Sequence, residues 1–239
     1  MDSRFLLILP SSVQRLVEEI EDFAGMEIVV KANPYPLLSD SSNPFCLMCK
    51  TTHECAEIYY RDENNINPQD LLHELLHIYR YWVEMVPKMM PRNRIESNYE
   101  LFERIDNALE HLIIVPRDIE YGFEVNYSYW NENFRFNWSK YPWRGVDYWA
   151  RKFNCLMGWL STVYLTNDKK LKRTVEGYLK QEALLDKATR FRKKVNKEMT
   201  ESKQRAVLTV SKYVDIPSEE IDLVVFDIRN RKQIISRLV

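Results

Sequence analysis

The chain has 239 residues, 45% hydrophobic and 13% aromatic, with 34 Lys and Arg against 35 Asp and Glu for a net charge of −1. That is ample material for one large domain or two small ones. No stretch approaches the ~18 apolar residues of a membrane span, and there is no internal repeat, low-complexity tract or glycine-rich phosphate loop.

Only five glycines occur, and Leu, Lys, Glu and Arg are abundant. The expected fold class is therefore α+β and mainly helical. Four cysteines without a secretory signal imply reduced thiols and a cytoplasmic location. The apolar run at 5–9 is too short for a signal core, and Pro10 ends it. Charge is unevenly spread: residues 168–212 hold fourteen Lys and Arg against six Asp and Glu. Such a segment serves either as the solvated face of packed helices or as a surface for nucleic acid.

In chain order, residues 5–9 read as a short strand or apolar lead-in. A helix follows, capped by Ser11 or Ser12 and stopped by Gly25. The β-branched run at 26–31 reads as a strand, and the Asn, Pro and Ser cluster at 33–44 as a loop. Residues 45–50 and 55–60 suit the two arms of a hairpin. Within it, Cys46-x-x-Cys49 is a zinc-ligand spacing. His53 and Cys55, separated by one residue, complete such a set poorly, and buried thiols are the plainer expectation.

Next comes Asn67-Pro68-Gln69-Asp70, a cap, a first-turn proline and a first-turn acid, all of them helix-start signals. The helix they open carries His73-Glu74-Leu75-Leu76-His77 and is apolar nearly all round, so it should be buried, with Pro87 as its stop. Positions i and i+4 share a face one turn apart, so His73 and His77 can reach one ion. Glu74 lies beside them, where it can take a proton from water at the metal without itself being a ligand.

Beyond Pro91, Ser97 and Glu100 form a capping box for a second helix ending near Val115. Its core face is Leu101, Ile105, Ala108, Leu109 and Leu112, with Glu103, Asn107 and Glu110 opposite and His111 at the margin. A catalytic zinc wants three protein ligands and one open position. Glu103 and Glu110 stand about 10 Å apart along the helix, so one ion cannot take both. Glu110 is preferred, because Ile114 on the same side marks that side as covered. His111 is the alternative, and Glu103 the more solvated third candidate. Asp106 or Asn107 could orient a metal-binding histidine.

Residues 121–149 are crowded with aromatics, and the Asn and Ser between them argue against a plain helix. A wall over a cleft and a packed connector both fit. Helices are expected at 148–165, 170–178, 182–199 and 204–213, then a strand at 221–228 and another near Ile234.

Residues 56–116 resemble the active-site region of zincin metallopeptidases, in the gluzincin branch. The metzincin branch places a further histidine six residues beyond the motif, where this chain has Val83. The resemblance implies a zincin-like core at 1–120, a small sheet packed on the histidine helix and a second ligand helix, followed by an aromatic-rich connector and helical lobe at 121–239. It also implies that a sheet edge takes a peptide or protein substrate as an added strand. The expected activity is Zn²⁺-dependent peptide hydrolysis, with His73, His77 and Glu110 as ligands and Glu74 as general base. Two other readings stay open: a non-catalytic accessory protein with a structural or decayed site, and a nucleic-acid-associated protein acting through 168–212.

Overall fold

The computed structural model describes residues 1–34, 47–93 and 95–238, and within these the side chains of all but residues 96–98. The fold is α+β and mainly helical, with two three-stranded sheets among the described residues. By their backbone contacts these residues group into two units, each assembled from three stretches of chain.

The first unit comprises Met1–Lys88, Pro116–Val125 and Val224–Ile235. Where a strand or lead-in was expected, Ser3–Leu6 forms a helical turn, α1, because the Asp2 carboxylate accepts the Arg4 N–H and starts it. Helix α2, Ser11–Ala24, opens on Pro10 with no side-chain cap. Ser12, one of the expected caps, instead gives its hydroxyl to the Tyr121 carbonyl at 3.1 Å. The stop is Gly25, left-handed at φ 61°, whose N–H reaches Glu21 O at 2.8 Å. Glycine adopts that conformation without the strain a Cβ would bring.

Strand β1 (Val29–Ala32) runs parallel to β3 (Ala56–Tyr60), and β2 (Leu47–Thr51) pairs antiparallel with β3, giving the order β1-β3-β2. The hairpin therefore forms as its two apolar arms suggest. The expected loop at 33–44 and Cys46 lie largely outside the described residues.

Helix α3 (Pro68–Trp82) packs on both α2 and β2. The Asn67 side chain accepts the Asp70 N–H at 2.9 Å, and Pro68 fills the first position, where its missing N–H costs nothing. Leu71, Leu72, Leu75, Leu76 and Ile78 are all fully buried, as are Val13, Leu16, Val17 and Ile20 of α2, on which this helix packs. The indole N–H of Trp82 donates to Thr52 O at 2.8 Å, tying the helix end to the hairpin turn. The helix stops before Pro87: Val86 N turns back to Arg80 O at 3.0 Å, and Met85 takes a positive φ of 52°.

The second unit comprises Met89–Val115, Asn126–Leu223 and Ser236–Val239. Helix α4, Glu96–Arg117, carries on through Pro116 instead of ending before it. The expected capping box involves Ser97, whose side chain lies outside the described residues. Residues 127–139, expected to be irregular, form helix α5, Tyr127–Ser139, capped by Asn126 on the Tyr129 N–H. Its Asn residues pair along the helix, Asn137 Nδ2 to Asn133 Oδ1 at 2.7 Å, and so support it.

Helix α6, Tyr148–Leu165, is the hub of this unit, touching α5, α7 (Lys169–Gln181), α8 (Leu185–Glu201) and α9 (Lys203–Val214). Its bounds match the amphipathic stretch in the sequence. A second sheet has the order β4-β5-β6, with β4 at Lys88–Pro91, β5 at Ile221–Asp227 and β6 at Lys232–Arg237. No described helix is long and apolar enough to cross a membrane.

Candidate metal centre

Because α3 is buried on almost every side, its polar residues are held in apolar surroundings. The rings of His73 and His77 meet edge to face, with centroids 5.1 Å apart. Burial disfavours the imidazolium form and lowers the pKa of His73 to about 4. This ring is therefore neutral around pH 7, with a nitrogen lone pair available for a metal.

Glu74 is 7% exposed. One carboxylate oxygen accepts the backbone N–H of Cys49, on β2, at 2.9 Å. Burial pushes the acid up to about 7, the Cys49 contacts oppose the rise, and nearby Asp70 adds to it. The Cys49 thiol is driven well above its ordinary value by the same burial and by the Glu74 charge beside it. It is thus a protonated neighbour of the glutamate, not a thiolate ligand.

On α4, Glu110 is fully buried and lies 2.8 Å from the ammonium of Lys203, on α9. Asp106 stands 2.6 Å from the same ammonium and accepts the Met89 N–H at 2.9 Å. The sequence favoured Glu110 as third ligand on the ground that a covered carboxylate needs a partner. That partner is Lys203. Glu103 and Asn107 are exposed.

His111, the alternative, is 6% exposed and meets the Trp130 ring at 5.1 Å. Among the described residues, His73, His77 and His111 form the group of potential ligands: each offers one ring nitrogen, and these nitrogens lie within 4.8 Å of one another. Cys49, His53 and Cys55 form no such group there, and His53 instead shares a hydrogen bond of 3.1 Å with Gln233.

The chain matches no family model, no curated protein and no solved structure.

The donor set can be tested against the chemistry of metals. An all-imidazole set suits first-row transition ions such as zinc, and suits Mg²⁺ or Ca²⁺ poorly, since those ions want oxygen. Two contributors escaped sequence reasoning. Nothing in local spacing ties Lys203 to Glu110, because helices far apart in sequence bring them together. Cys49 acts through its backbone N–H, which carries no residue-type signal at all.

Proposed function

We propose that this chain is a zinc-dependent hydrolase of peptide bonds, with a zincin-like core in which His73, His77 and His111 hold the ion and Glu74 is the general base. The observation that carries the reading is the group of three imidazole nitrogens with a buried carboxylate, that of Glu74, adjoining His73 in the chain and bearing no cation among the described residues. A bound zinc ion would supply Lewis acidity, polarising the scissile carbonyl and acidifying water towards pH 7. With a pKa of about 7, Glu74 can accept the proton of the attacking water and return it to the leaving nitrogen near neutrality. The Cys49 N–H fixes one oxygen of that carboxylate, leaving the other for the transfer. His73 enters the site already deprotonated, so binding displaces little proton from it at neutral pH.

Zinc content by elemental analysis and hydrolysis of fluorescein-labelled casein together test the reading. Wild type should hold stoichiometric zinc and cleave. His73→Ala, His77→Ala and His111→Ala should each lose the metal, whereas Glu110→Gln should keep it. Metal retained by His111→Ala and lost by Glu110→Gln would return the third position to the glutamate. Stoichiometric zinc without cleavage of any peptide would leave a metal site and remove the hydrolase.

A further inference from the structure

Away from the histidines, the second unit contains a cavity of about 480 Å³ walled by α4, α5 and α6. It collects part of the aromatic segment that the proposed hydrolysis does not use. Phe134 and Trp138 come from α5, Trp143 from the loop after it and Phe153 from α6. Trp138 and Trp143 lean together with centroids 5.3 Å apart. The Trp138 ring is pinned, since its indole N–H donates to Thr162 Oγ1 at 2.9 Å. It lies so close to α6 that a Cβ on Gly158 would stand 2.9 Å from it, so only glycine lets this wall form.

The charged groups at the cavity are both cations, Arg104 and Lys140. Neither has an acidic partner among the described residues. Arg104 lies over the Phe153 ring at 5.5 Å with a long 3.3 Å contact to Asn154 Oδ1, and Lys140 lies over the Phe136 ring at 4.0 Å. Ser161 also lines the cavity. It is 7% exposed, yet its hydroxyl makes no hydrogen bond among the described residues. That hydroxyl is left to bond whatever fills the cavity.

We infer that this cavity is a binding site for a small aromatic acid, its ring packed against Trp138, Trp143 and Phe153 and its anionic group held by Arg104 and Lys140, with Ser161 as a polar anchor. The size and the mixture of aromatic walls with a few polar groups are those of a small-molecule site. The sign of the lining charge selects an anion over a cation or a neutral ring. A carboxylate and a phosphate monoester share this chemistry.

Isothermal titration calorimetry on the full chain separates these cases, with 2-naphthoate as the carboxylate probe and adenosine monophosphate as the phosphate probe. Neutral 2-naphthalenemethanol and adenosine are the controls. At least one acid should bind saturably, and about tenfold or more tighter than its neutral counterpart, the discrimination expected of a charge-assisted contact. Arg104→Ala, at an exposed position, should weaken the acid by a similar factor and leave the neutral probe unchanged. Ser161→Ala should weaken it by a smaller one. Binding by one acid alone identifies the anionic group, and binding by both shows that the site reads charge and ring only. No saturable binding of either acid, or equal binding by Arg104→Ala, would overturn the inference. His111→Ala and Glu74→Gln should bind as wild type does, so this site stands or falls independently of the metal centre.

Discussion

Helices α3 and α4 each bury a glutamate beside a histidine, and they treat the acid in opposite ways. Glu110 is answered by a full positive charge, the Lys203 ammonium, which it shares with Asp106. Glu74 is answered by Cys49, through its backbone N–H and its side chain, and among the described residues by no cation. The first arrangement leaves a carboxylate occupied by a cation. The second leaves it near its titration point, at about 7. A glutamate of the first kind serves the fold, and one of the second kind is available to chemistry.

The sharpest way to break that contrast is to remove each acid's proton chemistry while keeping its shape. Glu74→Gln should lower the rate of peptide hydrolysis by about 10²–10⁴-fold, the usual worth of a general base, with zinc retained. Glu110→Gln should leave that rate within a few-fold of wild type, as initial rates on the same substrate would show. Next in size is Lys203→Met, which abandons two buried carboxylates. It should cost about 3–5 kcal/mol in urea unfolding, and Lys203→Met combined with Glu110→Leu should recover part of the loss.

Another buried acid lies between these extremes. Asp118 accepts one hydrogen bond from Gln69 at 2.8 Å, while its other oxygen is buried without a partner, and burial raises its pKa from 3.8 to about 6. The folded state therefore holds this proton between pH 4 and 6, whereas the unfolded chain has released it. Stability from this group is present at low pH and declines as pH rises through that window, by about 3 kcal/mol. Asp118→Asn should flatten the decline and be the more stable protein at pH 7 in urea melts. Smallest is Asn67→Ala, which removes the α3 cap and should cost about 1 kcal/mol.

The contrast also explains what could be read from the sequence. The start of α3, its buried character and the pairing of His73 with His77 rest on residues within one or two turns of each other, so local rules suffice. The third position was narrowed to Glu110 and His111 by helix periodicity. What weighs on that choice is the Lys203 ion pair with Glu110, which only tertiary packing supplies. Helix α5 was missed because Asn133, Asn137 and Ser139 look like breakers one at a time. Placed four apart, the two asparagines bond to one another along the helix surface. At the start of the chain, a run of apolar residues suggests a strand or an apolar lead-in, and one aspartate capping a turn is enough to make Ser3–Leu6 helical.

The link from Cys49 N–H to Glu74 has a consequence for the sheet as well as for the acid. Among the described residues β2 is an outermost strand, and the backbone of an outermost strand is a template on which another chain can zip up. By taking the central donor of that strand, the glutamate interrupts the template. A side chain with a proposed part in hydrolysis thus doubles as a guard against self-association, and its removal would expose the protein to clumping as much as to inactivity.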